Sequence, residues 1–586
     1  MCISTMPAHK YFAMLKNLFF LFLVGILLNC QAQTSLSEEV IDNINLRIEN
    51  GNNTGIVIGI IDKDGARYHS FGVKSLKTNE PLDENSVFEI GSISKTFTGL
   101  LLADMVLKGK LKLDDPLQSL LPVGLNAPTR NGASISLVNM ANHTSSLPRM
   151  PDNFNPSNPA NPYIDYSEEQ LFDFLNSYEL TRDIGSRYEY SNYAVGLLGH
   201  LLALKNNTTY EDLMVAVIAD PLGMDNTRVK FSDEMLTNLA MGHRGRIQVE
   251  NWDLTTLAGA GAIRSTAVDM IKYVAANMGI EKTNLYPAMQ LAHKNSRTEG
   301  AEPIVGLGWH TQILDGDSII WHNGGTGGYR TFAGFTEDGK AGVVVLSNSS
   351  TGADDLGIHL LHPKAQLNKI KPSIGAKMQE VIDSEGVSAA LETYKELRKN
   401  PADIYDFSEN QLNDLGYYYL AKQELEKALA VFKLNVENYP ESSNVYDSYG
   451  EAFLEQGNNE KAIENYKKSV EINPGNQGGL KKLKELGVHA DSLIKEIIID
   501  EDILASYVGN YELAPGFILS VTRDGNQMSA QATGQPQFPI FPKSETVFYL
   551  KVVEAQLTFN RSDDNKVESV TLLQAGQTLI GPKLNE

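Results

Sequence analysis

Cysteine is nearly missing from this sequence: 586 residues hold two, Cys2 and Cys30, both ahead of residue 33. A chain trimmed beyond that point has no disulfide, no thiolate metal ligand and no cysteine nucleophile. Positive charge is in deficit too. Lys and Arg number 50 against 72 Asp and Glu, and the formal net charge of -22 argues against nucleic acid and anionic lipid surfaces as partners. Near the N-terminus, the apolar run Leu18 to Leu28 falls short of the roughly 20 residues that a membrane-spanning helix needs.

With Lys16 ahead of it and "NCQAQT" behind, that run has the pattern of a secretory signal peptide. Cleavage after Ala32 is expected, making residues 1–32 a signal peptide and the protein exported, periplasmic or secreted. The alternative is a lipoprotein anchored at Cys30. Either processing leaves a mature chain with no transmembrane segment.

What is present reads as several globular units, since 586 residues exceed what one core organises. Residues 36–365 mix strands and helices. "TGIVIGIIDKDGARYHSFG" predicts two strands joined at Asp64-Gly65, and "YRTFAGFTEDGKAGVVVLSN" two more joined at Asp338-Gly339. Helices are expected from Lys95 to Leu107 and from Tyr193 to Leu204. Strands at both ends with helices between them imply an α+β domain whose sheet is closed by its terminal strands.

Residues 373–490 turn helical and carry a repeat of period 34. Gly416 aligns with Gly450, Leu412 with Tyr446, Tyr419 with Phe453, Ala428 with Ala462, Phe432 with Tyr466 and Pro440 with Pro474. This resembles two tetratricopeptide repeats, 409–442 and 443–476, which offer a surface to a protein partner or pack as a spacer on the rest of the chain. Residues 500–586 alternate apolar and polar and predict a small antiparallel β domain, with Tyr507 and Tyr511 of "YVGNY" in its core.

Three motifs carry chemistry. In "FEIGSISKTFTGLLLADM", Ser92 and Lys95 sit three apart, so a helix places an amine beside a hydroxyl. A second such pair, Ser492 and Lys495, lacks the strand-to-helix setting. In "YEYSNYAVGLLGH", Tyr190 and Asn192 flank Ser191 and can both face a cleft, while Ser191 or Asn192 can serve as a helix N-cap. In "SIIWHNGGTGGYRTF", His322 precedes Gly324 and Gly325, whose missing side chains would let a substrate backbone approach. The pair His359 and His362 shares a helical face, but no third metal ligand is in view.

In this order the three motifs resemble the signature of the serine β-lactamase and penicillin-binding protein superfamily: Ser-x-x-Lys, Tyr-x-Asn, then Lys-Thr-Gly or His-x-Gly. The Tyr-x-Asn form is similar to class C β-lactamases, the D-Ala-D-Ala carboxypeptidases and endopeptidases close to them, and related esterases. "MANHTSSLPR", Met140 to Arg149, is similar to a loop of that group. The resemblance implies a β-lactamase-like α+β fold, with an antiparallel sheet flanked by helices, ahead of the helical repeats and the β domain. It also implies a serine hydrolase with no metal and no cofactor.

In that resemblance Ser92 is the nucleophile, Lys95 its base, Tyr190 the proton shuttle and His322 part of the proton network. Asn192, Gly324 and Gly325 bind a small-molecule or peptide substrate. Backbone amides of Ser92 and Gly325 would form the oxyanion hole. The substrates implied are D-amino-acid peptides like those of peptidoglycan, or β-lactam amides. A carboxylesterase, or a ligand-binding sensor coupled to a partner through the repeats, is the alternative. Histidine where dedicated lactamases carry lysine favours a peptidase or esterase, and an imidazole titrating between about 5 and 8 is expected there.

These motifs predict that Ser92→Ala abolishes covalent labelling by a fluorophosphonate and lowers turnover by on the order of 10⁴ or more. Ser492→Ala should leave both unchanged. Intact-mass spectrometry of the treated proteins checks this, and a labelled Ser92→Ala protein would remove the assignment.

Overall fold

The computed structural model describes residues 36–584 apart from 159, 298–299, 301–302, 400–403, 489–496, 498, 515–516, 533–536, 551–554, 563 and 575–576. The expected signal segment with Cys2 and Cys30, and the pair Ser492 and Lys495, lie outside the described residues.

Alternation builds the central sheet. In β1 (Gly55–Asp62), Ile56 and Ile58 fall on one face and Val57 on the other. β2 (Gly65–Gly72) returns through Asp64-Gly65, as the turn signal predicts. Strands β3 (Ile304–Val305), β4 (His310–Leu314), β5 (Asp317–Gly325), β6 (Arg330–Thr336) and β7 (Ala341–Ser347) complete an antiparallel sheet of order β2-β1-β7-β6-β5-β4-β3. The first hairpin therefore pairs with the last strand, closing the sheet as expected.

One face of the sheet is covered by α1 (Glu38–Glu49), whose Val40 and Ile44 pack with Ile56, Ile58, Val343 and Val345. Arg47 of α1 is buried and pairs with Asp355 at 2.5 Å, which ties this helix to the one that follows β7. The other face carries the larger core, built largely from the 231 residues inserted between β2 and β3.

At the centre of that insertion lies α2 (Ser94–Leu107), buried along nearly its whole length. A helix apolar on all sides belongs inside a core, and Lys95 enters the core with it. The expected direct passage from strand to helix is revised. A two-residue strand, Phe88–Glu89, is followed by a single 3-10 turn, Gly91–Ile93, before α2 begins. Gly91 makes the turn with φ 52°, and Ser94 secures it by donating to Gly91 O at 2.7 Å. Helix α3 (Asn192–Lys205) starts two residues after Tyr190.

Four helices repeat with the predicted period: Glu409–Ala421, Leu425–Asn438, Ser443–Glu455 and Asn459–Ile472. The pair Ile374–Glu385 and Val387–Arg398 covers their open apolar face through Met378, Ile382 and Tyr394. Beyond residue 500 the strands form an eight-stranded antiparallel sheet in chain order. Its first and last strands meet between Tyr511 and Lys583, so the sheet nearly closes into a barrel. Tyr507 and Tyr511 are fully buried in its core, as expected.

The spacing of the repeats rests on close contact at Gly416, where a side chain would begin 2.5 Å from the Phe432 ring. Gly416→Val is expected to lose about 1–3 kcal/mol of stability by overpacking, measured as a lower denaturant midpoint of the helical segment. An unchanged midpoint would contradict this packing.

Candidate active site

The turn Gly91–Ile93 sets Ser92 between the start of α2 and the end of β5. A side chain on Gly91 would begin 2.7 Å from Gly325 N, so the backbones of turn and strand touch directly. A side chain on Gly324 would begin 2.0 Å from Ile90 O. Gly324 is buried, and its missing side chain makes room for the protein's own backbone, which corrects the expectation that it opens the site to substrate. Gly325 is exposed and keeps that capacity.

Lys95 Nζ lies 3.0 Å from Ser92 Oγ and donates to Ala260 O at 2.6 Å. The side chain has no exposed surface. Burial, helped by the nearby Arg149 guanidinium, holds the amine well below the ordinary lysine range. A lysine amine whose charged form is disfavoured by burial is better able to accept a proton from a hydroxyl.

Ser191 caps α3, accepting from Ala194 N at 2.9 Å and donating to Pro148 O at 2.6 Å. The capping role and the site role therefore coexist: Ser191 turns inward, and Tyr190 and Asn192 are left to the cleft. The Tyr190 ring lies 4.8 Å from Lys95 Nζ and 5.1 Å from the Arg149 guanidinium. Burial pushes its phenol up to about 12, against a hydrogen bond with Ser92 and the charge of Arg149. Tyr190 is thus a proton donor at neutral pH. Asn192 donates to Met150 Sδ at 3.8 Å, a weak contact that leaves its amide capable of stronger bonds.

His322 lies within β5, three residues short of its end, and is almost wholly buried. Its Nδ1 sits 2.5 Å from Asn323 O. A carbonyl only accepts, so Nδ1 carries the proton and Nε2 is left as an acceptor. Burial, with His310 and Lys95 beside it, drives the imidazole well below its ordinary range. The expected titration between about 5 and 8 is therefore corrected to one displaced well below the ordinary histidine range.

Several site groups escaped the motif reading. His143 stacks on Tyr190 with centroids 4.4 Å apart, and its Nδ1 accepts from Ser191 N at 3.1 Å. His310 meets His322 at 5.2 Å and Tyr188 OH at 2.9 Å, and burial lowers it to about 4. Arg149 is exposed over Tyr190, and its carbonyl accepts the Asn192 and Tyr193 amides. His310 had no sequence signal, and that for His143 and Arg149 was the quoted loop Met140 to Arg149. Its shape depends on positive φ at His143 and Ser146, 62° and 67°, which no spacing announces. In the loop 151–167, Phe154 packs against Tyr163 with centroids 4.9 Å apart, and Tyr163 against Trp252 at 5.4 Å.

The imidazoles of His359 and His362 turn elsewhere, to Ala365 O at 2.7 Å and Asp315 Oδ2 at 3.4 Å. The family model for Beta-lactamase matches residues 40–363. The chain belongs to the beta-lactamase family.

D-alanyl-D-alanine-carboxypeptidase/endopeptidase AmpH of Escherichia coli (strain K12) is 30% identical over 328 residues, covering 52% of this chain and 84% of its own length. A beta-lactamase of the same organism is 26% identical over 371 residues, 56% of this chain and 94% of its own. A crystal structure of a beta-lactamase/D-alanine carboxypeptidase from Pseudomonas syringae is 21% identical with a TM-score of 0.49, covering 56% of this chain and 98% of that one. Beyond the beta-lactamase domain, a tetratricopeptide repeat model matches residues 443–476 and a domain of unknown function (DUF3471) matches 494–581.

The lowered Lys95 amine and the lowered His322 imidazole fix the sign of the pH dependence. The labelling rate of Ser92 should rise with pH along a single limb set by Lys95, well below the usual lysine value of about 10.4, with no second limb from His322. In His322→Gln, which keeps an acceptor, that limb should not move. Rate constants of fluorophosphonate labelling against pH measure it, and a limb lost in His322→Gln would assign it to the imidazole.

Proposed function

We propose that this protein is an exported serine hydrolase that works by acyl transfer through a covalent Ser92 intermediate. The observation that carries the reading is the buried, depressed Lys95 amine 3.0 Å from Ser92 Oγ. The substrates proposed are D-amino-acid peptides like those of peptidoglycan, or β-lactam amides.

In this mechanism the neutral Lys95 amine takes the Ser92 proton as Oγ attacks the substrate carbonyl. The oxyanion that forms is received by the amides of Ser92 and Gly325, a contribution worth roughly 3–4 kcal/mol per donor. Lys95 returns the proton through Tyr190 to the leaving nitrogen or oxygen. Tyr190, uncharged at neutral pH, then helps position the water that releases the acyl group and relays its proton to the Lys95 amine, which returns a proton to the departing Ser92 Oγ. His322 Nε2, an acceptor, orients that proton path, and the Asn192 amide holds the substrate amide.

A neutral imidazole at position 322 supplies no fixed cation for a substrate carboxylate, which favours a peptidase or esterase over a resistance enzyme. The carboxylesterase reading draws on this same observation. The tetratricopeptide segment offers a surface for a protein partner.

Three substrates separate these readings: a peptide ending in D-Ala-D-Ala, a penicillin and a neutral nitrophenyl ester. The peptide is expected to be turned over and the penicillin to acylate Ser92 and be released slowly, followed by intact mass and product release. Turnover of the ester alone would select the esterase. A persistent penicillin adduct with no turnover of any of the three would select a sensor.

A further inference from the structure

The sequence His243-Arg244-Gly245-Arg246 has no part in acyl transfer, yet it occupies a structured position. His243–Arg244 pairs with Ile247–Gln248 as a short hairpin, and Gly245 turns its tip with φ 55°. The tip lies against the helical segment. A side chain on Gly245 would begin 3.2 Å from Asp414 Oδ2, on the helix Glu409–Ala421. Arg246 lines a cleft of about 400 Å³ together with Ala376, Lys377, Glu380 and Asp383 of the helix Ile374–Glu385.

Charge is complementary across this joint. Arg244 is an electrostatic neighbour of Asp414, and Arg246 shares the cleft with Glu380 and Asp383, where Lys377 pairs with Glu380 at 3.0 Å and Lys427 with Asp383 at 3.5 Å. Asp414 is partly buried there. Burial raises its carboxyl to about 6 although Arg244 opposes the shift.

The base of the same hairpin stands on the turn that follows the third motif. His243 N donates to Gly328 O at 3.2 Å and to Asn348 O at 3.0 Å. A side chain on Gly328 would begin 2.7 Å from Gly242 Cα, and one on Gly327 2.8 Å from Trp252 Nε1. The turn Thr326–Gly328 follows directly on Gly325. Arg330, which pairs with Gly325 across the sheet, is an electrostatic neighbour of Arg244.

We propose that the acidic face of the helices Ile374–Glu385 and Glu409–Ala421 is a docking surface for the chain's own Arg244–Arg246 tip, and that this dock positions the turn Thr326–Gly328 and with it the Gly325 edge of the cleft. The kind of ligand this face takes is an extended, arginine-bearing turn. The residues involved are positioning residues, since none touches a reacting atom. The contact chain is unbroken from Asp414 through the hairpin to Gly328, the kind of packed network that carries coupling between sites. The proposal rests on the acyl-transfer reading only for its effect on rate.

The test compares full-length wild type with Asp414→Arg, which sets a like charge against Arg244, and with Asp414→Asn, which keeps the shape and removes the charge. Hydrogen exchange of residues 326–330 is read beside the rate of Ser92 labelling. In Asp414→Arg, exchange in 326–330 should quicken while Phe332–Val345 stays protected. Labelling should slow by roughly 3- to 10-fold, with a smaller loss in Asp414→Asn. Adding Arg244→Glu to Asp414→Arg should restore both. Unchanged exchange in both variants, or a change that the double variant fails to reverse, overturns the proposal. Quickened exchange in a protein whose wild type never labels at Ser92 supports the joint and refutes the acyl-transfer reading.

Discussion

The site depends on one backbone contact, between the turn Ile90–Gly91 and the last residues of the strand Asp317–Gly325. Both partners are glycine because nothing larger fits: a side chain on Gly91 would meet Gly325 N, and one on Gly324 would meet Ile90 O. This contact sets Ser92 against a free strand edge. It also fixes the helix that carries Lys95 into the core, where loss of water depresses the amine. Ser92, Lys95 and the Gly325 amide are therefore placed by packing, and the chemistry proposed for them follows from that packing.

The sequence exposed those parts of the architecture that are periodic or local. Strand alternation and the turns at Asp64-Gly65 and Asp338-Gly339 are local signals, and the helical repeats announce themselves by the 34-residue offset. The residues Ser92, Lys95, Tyr190 and His322 were legible as motifs, and the structure brings them together. The state of those residues was not legible. Whether His322 titrates near neutrality depends on burial and on His310 and Lys95, which lie on other segments. The use of Gly324 for an internal contact, the 3-10 turn before the helix, and the stacking of His143 on Tyr190 all depend on tertiary neighbours.

The same distinction applies between domains. Each of the three units has its own apolar core and could be read separately in the sequence. The joint between the first two is made by a polar hairpin tip and acidic side chains far apart along the chain, with no periodicity to betray it. Whether tetratricopeptide helices serve as a spacer or as a binding surface is thus a question about their partner. In this chain part of their face is met by the hydrolase domain itself.

The central claim is that Ser92, Lys95 and the Gly325 edge form one acyl-transfer centre, and the crystal structure of a trapped acyl adduct tests it most directly. The account predicts an ester on Ser92 Oγ whose carbonyl oxygen lies about 2.7–3.1 Å from the amides of both Ser92 and Gly325, with Lys95 Nζ still buried beside Oγ. An adduct on another residue, or a carbonyl oxygen turned away from Gly325 N, would contradict it.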